Sequence, residues 1–302
     1  MGRSRCWHGC RTGSSAADGR EVMLENSEQV KAVQKLGLEI LQVIDRFCRE
    51  HGIRYYLFYG TELGAVRHQG FIPWDDDVDV ILFREDFEKF RKEWLANPPE
   101  GYFFQDGETD PNYKVKITKI RKDGTAMVEQ PAKDADIHHG VWVDLFVLDD
   151  YVKNPFLRRI GELITLFDYN ASRGYRPGGR RGLLYAATNR LFRGGGIYRW
   201  WYRRIFPGLK KDPGMCSDIT SFTFSRRYDF RREWLGEPMY LPFEGIELPA
   251  PANTDATLRA CYGDYRTPPP PEKRVSNHHP YYFSDCREYH PGMAVGEGGA
   301  NV

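Results

Sequence analysis

Apolar residues recur at helical spacing in the first strongly patterned segment of the chain. Asn26 can cap a helix, and Gly52 can end it. Between them, apolar side chains fall three or four positions apart, at Val30, Val33, Leu36, Ile40, Ile44, Phe47 and Cys48. Residues at this spacing share one face of a helix. The pattern predicts an amphipathic helix over residues 26–52 that covers a core.

Shorter apolar runs follow this helix and have the length and composition of strands. They cover residues 54–58, 78–83, 102–105, 115–121 and 140–148, while residues 61–68 and 85–95 have helical patterns. Strands interrupted by helices in this way indicate an α+β protein. We therefore expect a mixed sheet core flanked by helices.

Two of the predicted strands carry acidic residues. Asp77 and Asp79 flank Val78 at the start of one strand, and Asp144 interrupts another. Residues i and i+2 of a strand share a face, so the first two carboxylates point the same way and repel unless a cation lies between them. Oxygen ligands of this kind suit Mg²⁺ or Mn²⁺. If the two strands are neighbours, three carboxylates form a metal site suited to phosphoryl transfer.

Other interpretations of these acids remain. A structural calcium loop starting at Asp75 would need a glycine at its sixth position and a glutamate at its twelfth. Val80 and Asp86 occupy those positions instead, and the chain continues as a strand, so the sequence disfavours a calcium loop. For Asp144, an internal salt bridge is the alternative to a metal.

Several residues are candidates for binding phosphate. The Gly60-Thr61 turn opens the predicted helix 61–68, whose free N–H groups suit an anion. Arg67, near the end of that helix, could grip a phosphate with two hydrogen bonds or pair with a carboxylate. Lys273 and Arg274 follow a stiff run of prolines and could reach nucleotide phosphates or remain surface cations.

Three segments, taken in order, resemble motifs of the LicD family, the phosphocholine transferases of bacterial surface polysaccharides to which the eukaryotic fukutin proteins are related. The segments cover residues 60–77, 143–149 and 258–274. The resemblance implies a nucleotidyltransferase-like fold. It also implies that Gly60 and Thr61 cradle phosphate, that Asp77 and Asp79 hold the metal, and that Asp144 is the third acid.

The chain departs from the family pattern at two positions. Glu62 stands where the family usually has an apolar residue, and this substitution bears on the acceptor side of the pocket. Val147 replaces a common proline within the second acidic motif, a change that we expect to affect only the end of the strand.

The resemblance also implies an activity. We expect metal-dependent transfer of a phospho-alcohol, phosphocholine first, from a CDP-activated donor such as CDP-choline to a sugar hydroxyl of a bacterial cell-surface glycan, either lipopolysaccharide or teichoic acid. One alternative is a nucleotidyltransferase that moves a nucleoside monophosphate from an NTP to a small acceptor. Another is an RNA- or membrane-binding protein with an idle site.

Composition narrows the choice of partners and of compartment. A net charge of +1 gives no general attraction to nucleic acid, and we expect no nucleic-acid partner. No apolar run reaches the roughly 18–20 residues that span a bilayer. The six cysteines are scattered, as in a reduced intracellular chain. We expect a cytoplasmic enzyme, with contact at the inner face of the plasma membrane.

The middle of the chain differs in character. Residues 155–211 contain thirteen Lys and Arg but only two acidic residues, with aromatic residues interleaved. A helical subdomain with solvated cations, contact with an anionic acceptor or membrane surface, and contact with nucleic acid are the interpretations. The predicted organisation is a disordered extension (1–25), a catalytic core (26–150), a helical basic segment (151–215), a part that completes the site (216–287) and a disordered tail (288–302).

Overall fold

The computed structural model describes residues 12–14, 28–172, 180–192, 196–218, 228–276, 278 and 280–293 of the chain. Most of the predicted N-terminal extension and the tail beyond residue 293 therefore lie outside the described residues. Within the predicted tail, Tyr289 is buried, and its hydroxyl donates a hydrogen bond to the carbonyl oxygen of Lys133.

The strands of the described residues are, in chain order, β1 (Thr12–Ser14), β2 (Tyr56–Leu57), β3 (Asp79–Phe83), β4 (Tyr102–Gln105), β5 (Thr118–Lys122), β6 (Ala126–Glu129), β7 (Trp142–Val152), β8 (Lys211–Asp218), β9 (Asp229–Arg231), β10 (Met239–Phe243), β11 (Ile246–Ala250) and β12 (Pro280–Ser284).

The α-helices are α1 (Glu28–His51), α2 (Tyr59–His68), α3 (Arg84–Ala96), α4 (Pro155–Ser172), α5 (Arg180–Phe192), α6 (Gly196–Trp200), α7 (Arg232–Leu235) and α8 (Thr254–Tyr262). A π-helical turn (Trp201–Ile205) continues α6, and short 3-10 turns lie at Gln130–Ala132, Phe206–Gly208 and Pro271–Lys273. The long amphipathic helix and the helices predicted at 61–68 and 85–95 are thus confirmed.

The central sheet has seven strands and is mixed, as expected for the predicted α+β class. Its path runs β2-β3-β7-β5-β4, and β8 and β9 extend it from the second half of β7. β3 and β7 are parallel, whereas β2, β5 and β8 run antiparallel to their neighbours. β7 has eleven residues and pairs with three strands, so it is the axis of the sheet.

Helices α1 and α3 cover one face of this sheet. Their apolar sides and the inward side chains of β3, β5 and β7 form one hydrophobic cluster, in which Ile40, Ile44, Phe90, Trp94 and Val143 are fully buried. The strands themselves are apolar on both faces, since a second cluster on the other side contains Ile81 and Leu148. Burial on both faces makes any polar group in these strands costly unless it has a partner or a function.

A second, three-stranded sheet lies beside the first, and sequence patterns did not predict it. Its strand order is β1-β12-β6, with all pairs antiparallel. It joins the end of the described chain to the middle, because Pro280 of β12 is opposite Glu129 of β6. The remaining pair, β10 and β11, forms a hairpin.

The described residues of the basic segment are largely helical, as the pattern suggested. Helices α4 to α6 leave the central sheet at the end of β7, and the chain returns to the same sheet as β8. The segment is therefore an insertion between two neighbouring strands. No helix among the described residues has both the length and the apolar content to cross a bilayer.

The four cysteines among the described residues divide into two groups. Cys48, Cys216 and Cys261 are free and buried, in agreement with the prediction of a reduced chain. Cys286 is disulfide-bonded, and there that prediction does not hold.

Gly64→Ala is expected to lower the free energy of unfolding by about 1–3 kcal/mol, because a new methyl group would press on backbone that cannot move freely. A Cβ at this position of α2 would lie 2.5 Å from the carbonyl oxygen of Gly70. Denaturant unfolding measures the change. Gly107→Ala is the control, since the nearest atom to its new methyl group is 3.9 Å away. Equal losses in the two variants would contradict the close approach.

Candidate active site

The two strands predicted to carry the acids are neighbours. β3 and β7 are parallel, and in their register Asp79 is directly opposite Asp144. The Asp144 amide donates a hydrogen bond of 2.8 Å to the carbonyl oxygen of Val78. Asp77 lies just before β3 rather than within it, and its charge is close enough to raise the pKa of Asp79. The sheet thus brings the three predicted acids together.

The first turn of α2 is hydrogen-bonded to the start of β3, where Asp79 lies. The Thr61 hydroxyl accepts a hydrogen bond of 2.8 Å from the backbone amide of Asp79. Gly60 lies one residue earlier, where a Cβ would be 2.6 Å from a carboxylate oxygen of Asp75. Only glycine therefore leaves room for Asp75 against the first turn of α2. Gly60 and Thr61 lie beside the acids, as predicted, and the Thr61 hydroxyl also fixes the position of Asp79.

Tyr59 begins α2 with an unusual backbone conformation. Its φ is 45°, in the left-handed region that side chains other than glycine and asparagine seldom adopt. The hydroxyl donates a hydrogen bond of 2.7 Å to Asp218, and the ring packs edge-on against Phe146. Such conformations are typical of functional sites, where surrounding contacts maintain them.

Negative charge is concentrated at this site. Burial, and then the charges of Asp77, Asp144 and Asp75, raise the pKa of Asp79 well above its usual value. Burial and the neighbouring Asp77 raise the pKa of Asp75 in the same way. Like charges out of water disfavour ionisation, so the site has more carboxylates than it can readily keep ionised.

Lys119 provides one compensating charge. It lies on β5, opposite Asp144, and its Nζ atom is 2.6 Å from a carboxylate oxygen of Asp144. The other oxygen of Asp144 accepts a hydrogen bond of 3.0 Å from Trp142 Nε1, and the Lys119 ammonium group also lies 4.0 Å from the centre of the Trp142 ring. The internal salt bridge considered for Asp144 is therefore present, and it lies inside the acidic cluster.

His278 provides a second compensating charge that sequence reasoning missed. Its Nε2 atom lies 3.3 Å from Asp77, and its Nδ1 atom lies 3.6 Å from Glu129. Burial lowers the pKa of His278, but its hydrogen bonds to Asp77 and Glu129 outweigh that effect and raise it to about 11. The same contact holds the pKa of Glu129 at about 2, and although burial raises the pKa of Asp77, His278 brings it below its usual value.

The second sheet delivers this histidine. Glu129 ends β6 and His278 stands two residues before β12, so the pairing of those strands brings both to the acids. The available signal in the sequence was a pair of adjacent histidines just before a strand, His278 and His279. Nothing local in that pattern indicates a partner some two hundred positions away.

A cationic side lies next to the acids. Arg67 donates a hydrogen bond of 3.2 Å to the carbonyl oxygen of Tyr265, and its Nε atom is buried without a hydrogen-bond partner in the described part of the chain. Burial, and then the nearby charge of Arg274, lower the pKa of Arg67. Arg274 lies 5.5 Å from the centre of the Trp74 ring. Lys273 ends the 3-10 turn that Arg274 caps and is exposed, so of the two predicted C-terminal cations only Arg274 is brought to Arg67.

Tyr262 and Glu62 complete the surroundings. Tyr262, at the end of α8, is 45% exposed, and the charge of Asp79 acts on its hydroxyl. Glu62 is fully buried between α2 and α8, where it accepts a hydrogen bond of 2.5 Å from Thr257. Burial raises the pKa of Glu62, which favours the neutral acid. Glu62, the residue of α2 that departs from the family pattern, therefore contacts α8.

A divalent cation fits the donor chemistry of the site. Six acidic groups (Asp75, Asp76, Asp77, Asp79, Asp144 and Glu129) are accompanied by three cationic ones (Lys119, Arg121 and His278). Among the described residues, however, no three acidic, histidine or cysteine side chains already converge on one point at ligand distance. The oxygens of Asp144 are directed to Lys119 and Trp142. The assignment of Asp77, Asp79 and Asp144 as metal ligands stays a prediction.

Comparison with known proteins gives one matching domain and one relative that is similar along most of the chain. The model of the LicD/FKTN/FKRP nucleotidyltransferase domain matches residues 52–155, which contain all three acids. Lipopolysaccharide cholinephosphotransferase LicD of Haemophilus influenzae is 24% identical over 254 residues, covering 81% of this chain and 94% of that protein.

Two shorter similarities cover much less. Uncharacterized protein RT0683 of Rickettsia typhi is 49% identical over 78 residues, which cover 24% of this chain and 25% of that protein. Ribitol-5-phosphate transferase FKTN of Mus musculus is 29% identical over 79 residues, covering 26% of this chain and 17% of that protein.

Lys119→Met is expected to lower the free energy of unfolding by about 3–5 kcal/mol, because it leaves the buried Asp144 carboxylate without its cation. Denaturant unfolding measures the loss. The double variant Lys119→Met/Asp144→Asn should recover part of it, since the uncompensated charge is then gone. A loss below about 1 kcal/mol in the single variant would mean that Lys119 does not stabilise Asp144.

Asp79→Asn is expected to stabilise the metal-free chain at pH 7. The folded pKa of Asp79 is raised, so its ionisation favours unfolding, and this penalty grows as the pH rises from the ordinary Asp pKa through the raised one. The amide removes the penalty and should raise Tm by at least about 2 °C. The difference should vanish below about pH 3.9.

The exposed Asp134 provides the control for this measurement. Asp134→Asn should leave Tm unchanged across the same pH range. An Asp79→Asn variant that melts below the parent chain at pH 7 would contradict the repulsion among the acids.

Proposed function

We propose that this chain, whose residues 52–155 match the LicD/FKTN/FKRP nucleotidyltransferase domain, is a LicD-type enzyme. It would be a metal-dependent transferase that moves a phospho-alcohol from a CDP-activated donor to a sugar hydroxyl of a glycan. The related proteins are named cholinephosphotransferase and ribitol-5-phosphate transferase, so both are transferases of phosphorylated alcohols. This proposal names the donor, the metal and the acceptor.

One observation carries the proposal. Asp79 and Asp144 are opposite each other on parallel strands that are buried on both faces, with Asp77 next to them. An arrangement of this kind costs folding free energy unless a positive group binds there. Transfer of a phosphoryl group uses such a site, because the reaction needs positive charge around the phosphate oxygens.

The metal would be Mg²⁺ or Mn²⁺, held by Asp77, Asp79 and Asp144. When bound, it would neutralise charge on the diphosphate and stabilise the departing CMP. Hard divalent ions of this type prefer oxygen ligands, and all three side chains offer them. Lys119 and Trp142 orient the Asp144 carboxylate, and His278 orients Asp77.

The donor phosphates would lie between the acids and the arginines. The first turn of α2 presents backbone N–H groups at Gly60 and Thr61, and this end of a helix favours anions. Arg67 has a buried Nε atom without a described partner, and Arg274 lies near it. Two guanidinium groups that repel each other favour an anion between them.

Phosphocholine is the first candidate for the transferred group, and lipopolysaccharide for the acceptor. The support is the named activity of the Haemophilus influenzae relative, which aligns along most of this chain. A phosphorylated polyol such as ribitol phosphate is the second candidate, supported by the fukutin similarity.

The experiment is a transfer assay with CDP-choline, CDP-ribitol and CDP-glycerol, each with Mg²⁺ and a glycan acceptor, that detects released CMP. Metal-dependent CMP release with one donor is expected. Release of pyrophosphate from CTP, without turnover of any CDP-alcohol, would instead favour a nucleotidyltransferase.

Asp77→Asn and Asp144→Asn are each expected to reduce turnover by at least about a hundredfold, because each removes an anionic ligand of the metal. Thermal unfolding of both variants should remain cooperative, which shows that the fold persists. Asp134→Asn is the matched control and should retain full turnover. Activity above a few per cent in both site variants would overturn the assignment of the acids.

A further inference from the structure

The inserted helices α4 to α6 carry the most exposed large apolar side chains of the described residues. Phe156 is 71% exposed, Leu191 65% and Trp200 56%, whereas Tyr240, the next in order, is 48% exposed and lies on β10. One exposed apolar residue means little, but several on one surface indicate an interaction site. The insertion therefore presents large apolar side chains that do not pack into the chain's own core.

The orientation of Trp200 follows from its neighbours along α6 and the π-helical turn. Tyr198 and Tyr202 face the catalytic sheet, because Lys116 lies 3.2 Å from the Tyr198 ring centre and the Tyr202 hydroxyl is 3.2 Å from Arg84. Trp200 stands two positions from each, which places it on the opposite side of the helix. It therefore points away from the sheet.

Phe156 points away from the sheet for the same reason. The inner side of α4 is marked by Thr165, which is buried, and by Asp168, which pairs with Lys116 of the core at 2.5 Å. Phe156 lies nine positions before Thr165, half a revolution from it in angle. α4 and α6 are in direct contact, since a Cβ on Gly161 would lie 3.2 Å from the Trp201 indole. The outward sides of the two helices thus belong to one surface. Helix α5 adjoins α4 through the Phe167–Phe192 ring pair, whose centres are 5.7 Å apart, and Leu191 next to that pair is exposed.

Positive charge accompanies these apolar residues. Arg199 and Arg204 flank Trp200 in sequence and are exposed, and no carboxylate of the described residues lies within ion-pair distance of either. Arg190 precedes Leu191 and is also exposed. Surfaces that bind at the boundary between lipid headgroups and acyl chains combine cationic and exposed apolar side chains. The unpaired arginines and the exposed tryptophan, phenylalanine and leucine of the insertion have this composition.

We propose that α4, α5 and α6 form a docking surface for an anionic lipid bilayer, with Phe156, Leu191 and Trp200 inserted and Arg199 and Arg204 on the headgroups. The apolar residues match the acyl boundary and the arginines match the negative surface, each cation adding to the attraction. Nucleic acid would meet the arginines but would gain little from the exposed leucine. The catalytic sheet lies on the inner side of the insertion, so docking leaves the acids away from the lipid.

The test is co-sedimentation of the full chain with vesicles of phosphatidylcholine alone or with a quarter phosphatidylglycerol. Binding only to the anionic vesicles, weakened as salt rises, is expected. The triple variant Phe156→Ser/Leu191→Ser/Trp200→Ser and the charge variant Arg199→Glu/Arg204→Glu should each bind at least about tenfold more weakly. Leu95→Ser, which changes a 40% exposed leucine of α3, is the matched control and should bind as the parent chain does.

The charge variant keeps the test valid if the triple variant fails to fold, because both of its arginines are exposed. Equal binding to the two vesicle types, no binding to either, or undiminished binding by the charge variant would overturn the proposal. Salt-sensitive binding to RNA but not to anionic vesicles would also overturn it. None of these measurements depends on turnover, so they are independent of the proposed reaction.

Discussion

The parallel pairing of β3 with β7 is the interaction on which the rest of the site depends. It sets Asp79 opposite Asp144, and a slip of one residue would turn one of the two to the other face. Thr61 fixes α2 to the amide of Asp79, and Lys119 approaches Asp144 from β5 on the other side of β7. Helix α2, the acids and their counter-charge are thus all positioned by one strand register.

This grouping of buried carboxylates lowers the stability of the folded chain. Burial and the neighbouring carboxylates raise the pKa of Asp75 and of Asp79, and the large apolar clusters around α1, α3 and β7 offset the cost. Proteins commonly depart from their most stable arrangement at functional sites. Tyr59 shows the same compromise in the backbone, since ring packing and the hydrogen bond to Asp218 maintain its left-handed conformation.

Sequence patterns predicted much of the central sheet but few of the groups that tune the acids. Asp77, Asp79 and Asp144 stand out because an acid in an apolar run is costly, and that signal is local. Lys119 is one cation in a short strand, and its role depends on a register with β7 that no periodicity encodes. His278 and Glu129 meet through a second sheet built from distant segments, so their contact is a property of the tertiary fold alone.

The way the helical insertion joins the sheet has a consequence for how such a protein can diversify. Val152 and Lys211 are paired across β7 and β8, and the amide of Lys153 donates to the carbonyl oxygen of Lys210, so the insertion leaves and re-enters the sheet at one point. A segment anchored in this way behaves like an enlarged hairpin loop, and long loops cost little extra closure entropy. Its length and surface can therefore change without moving β7, so the outer surface of the insertion can evolve independently of the acids that β7 carries.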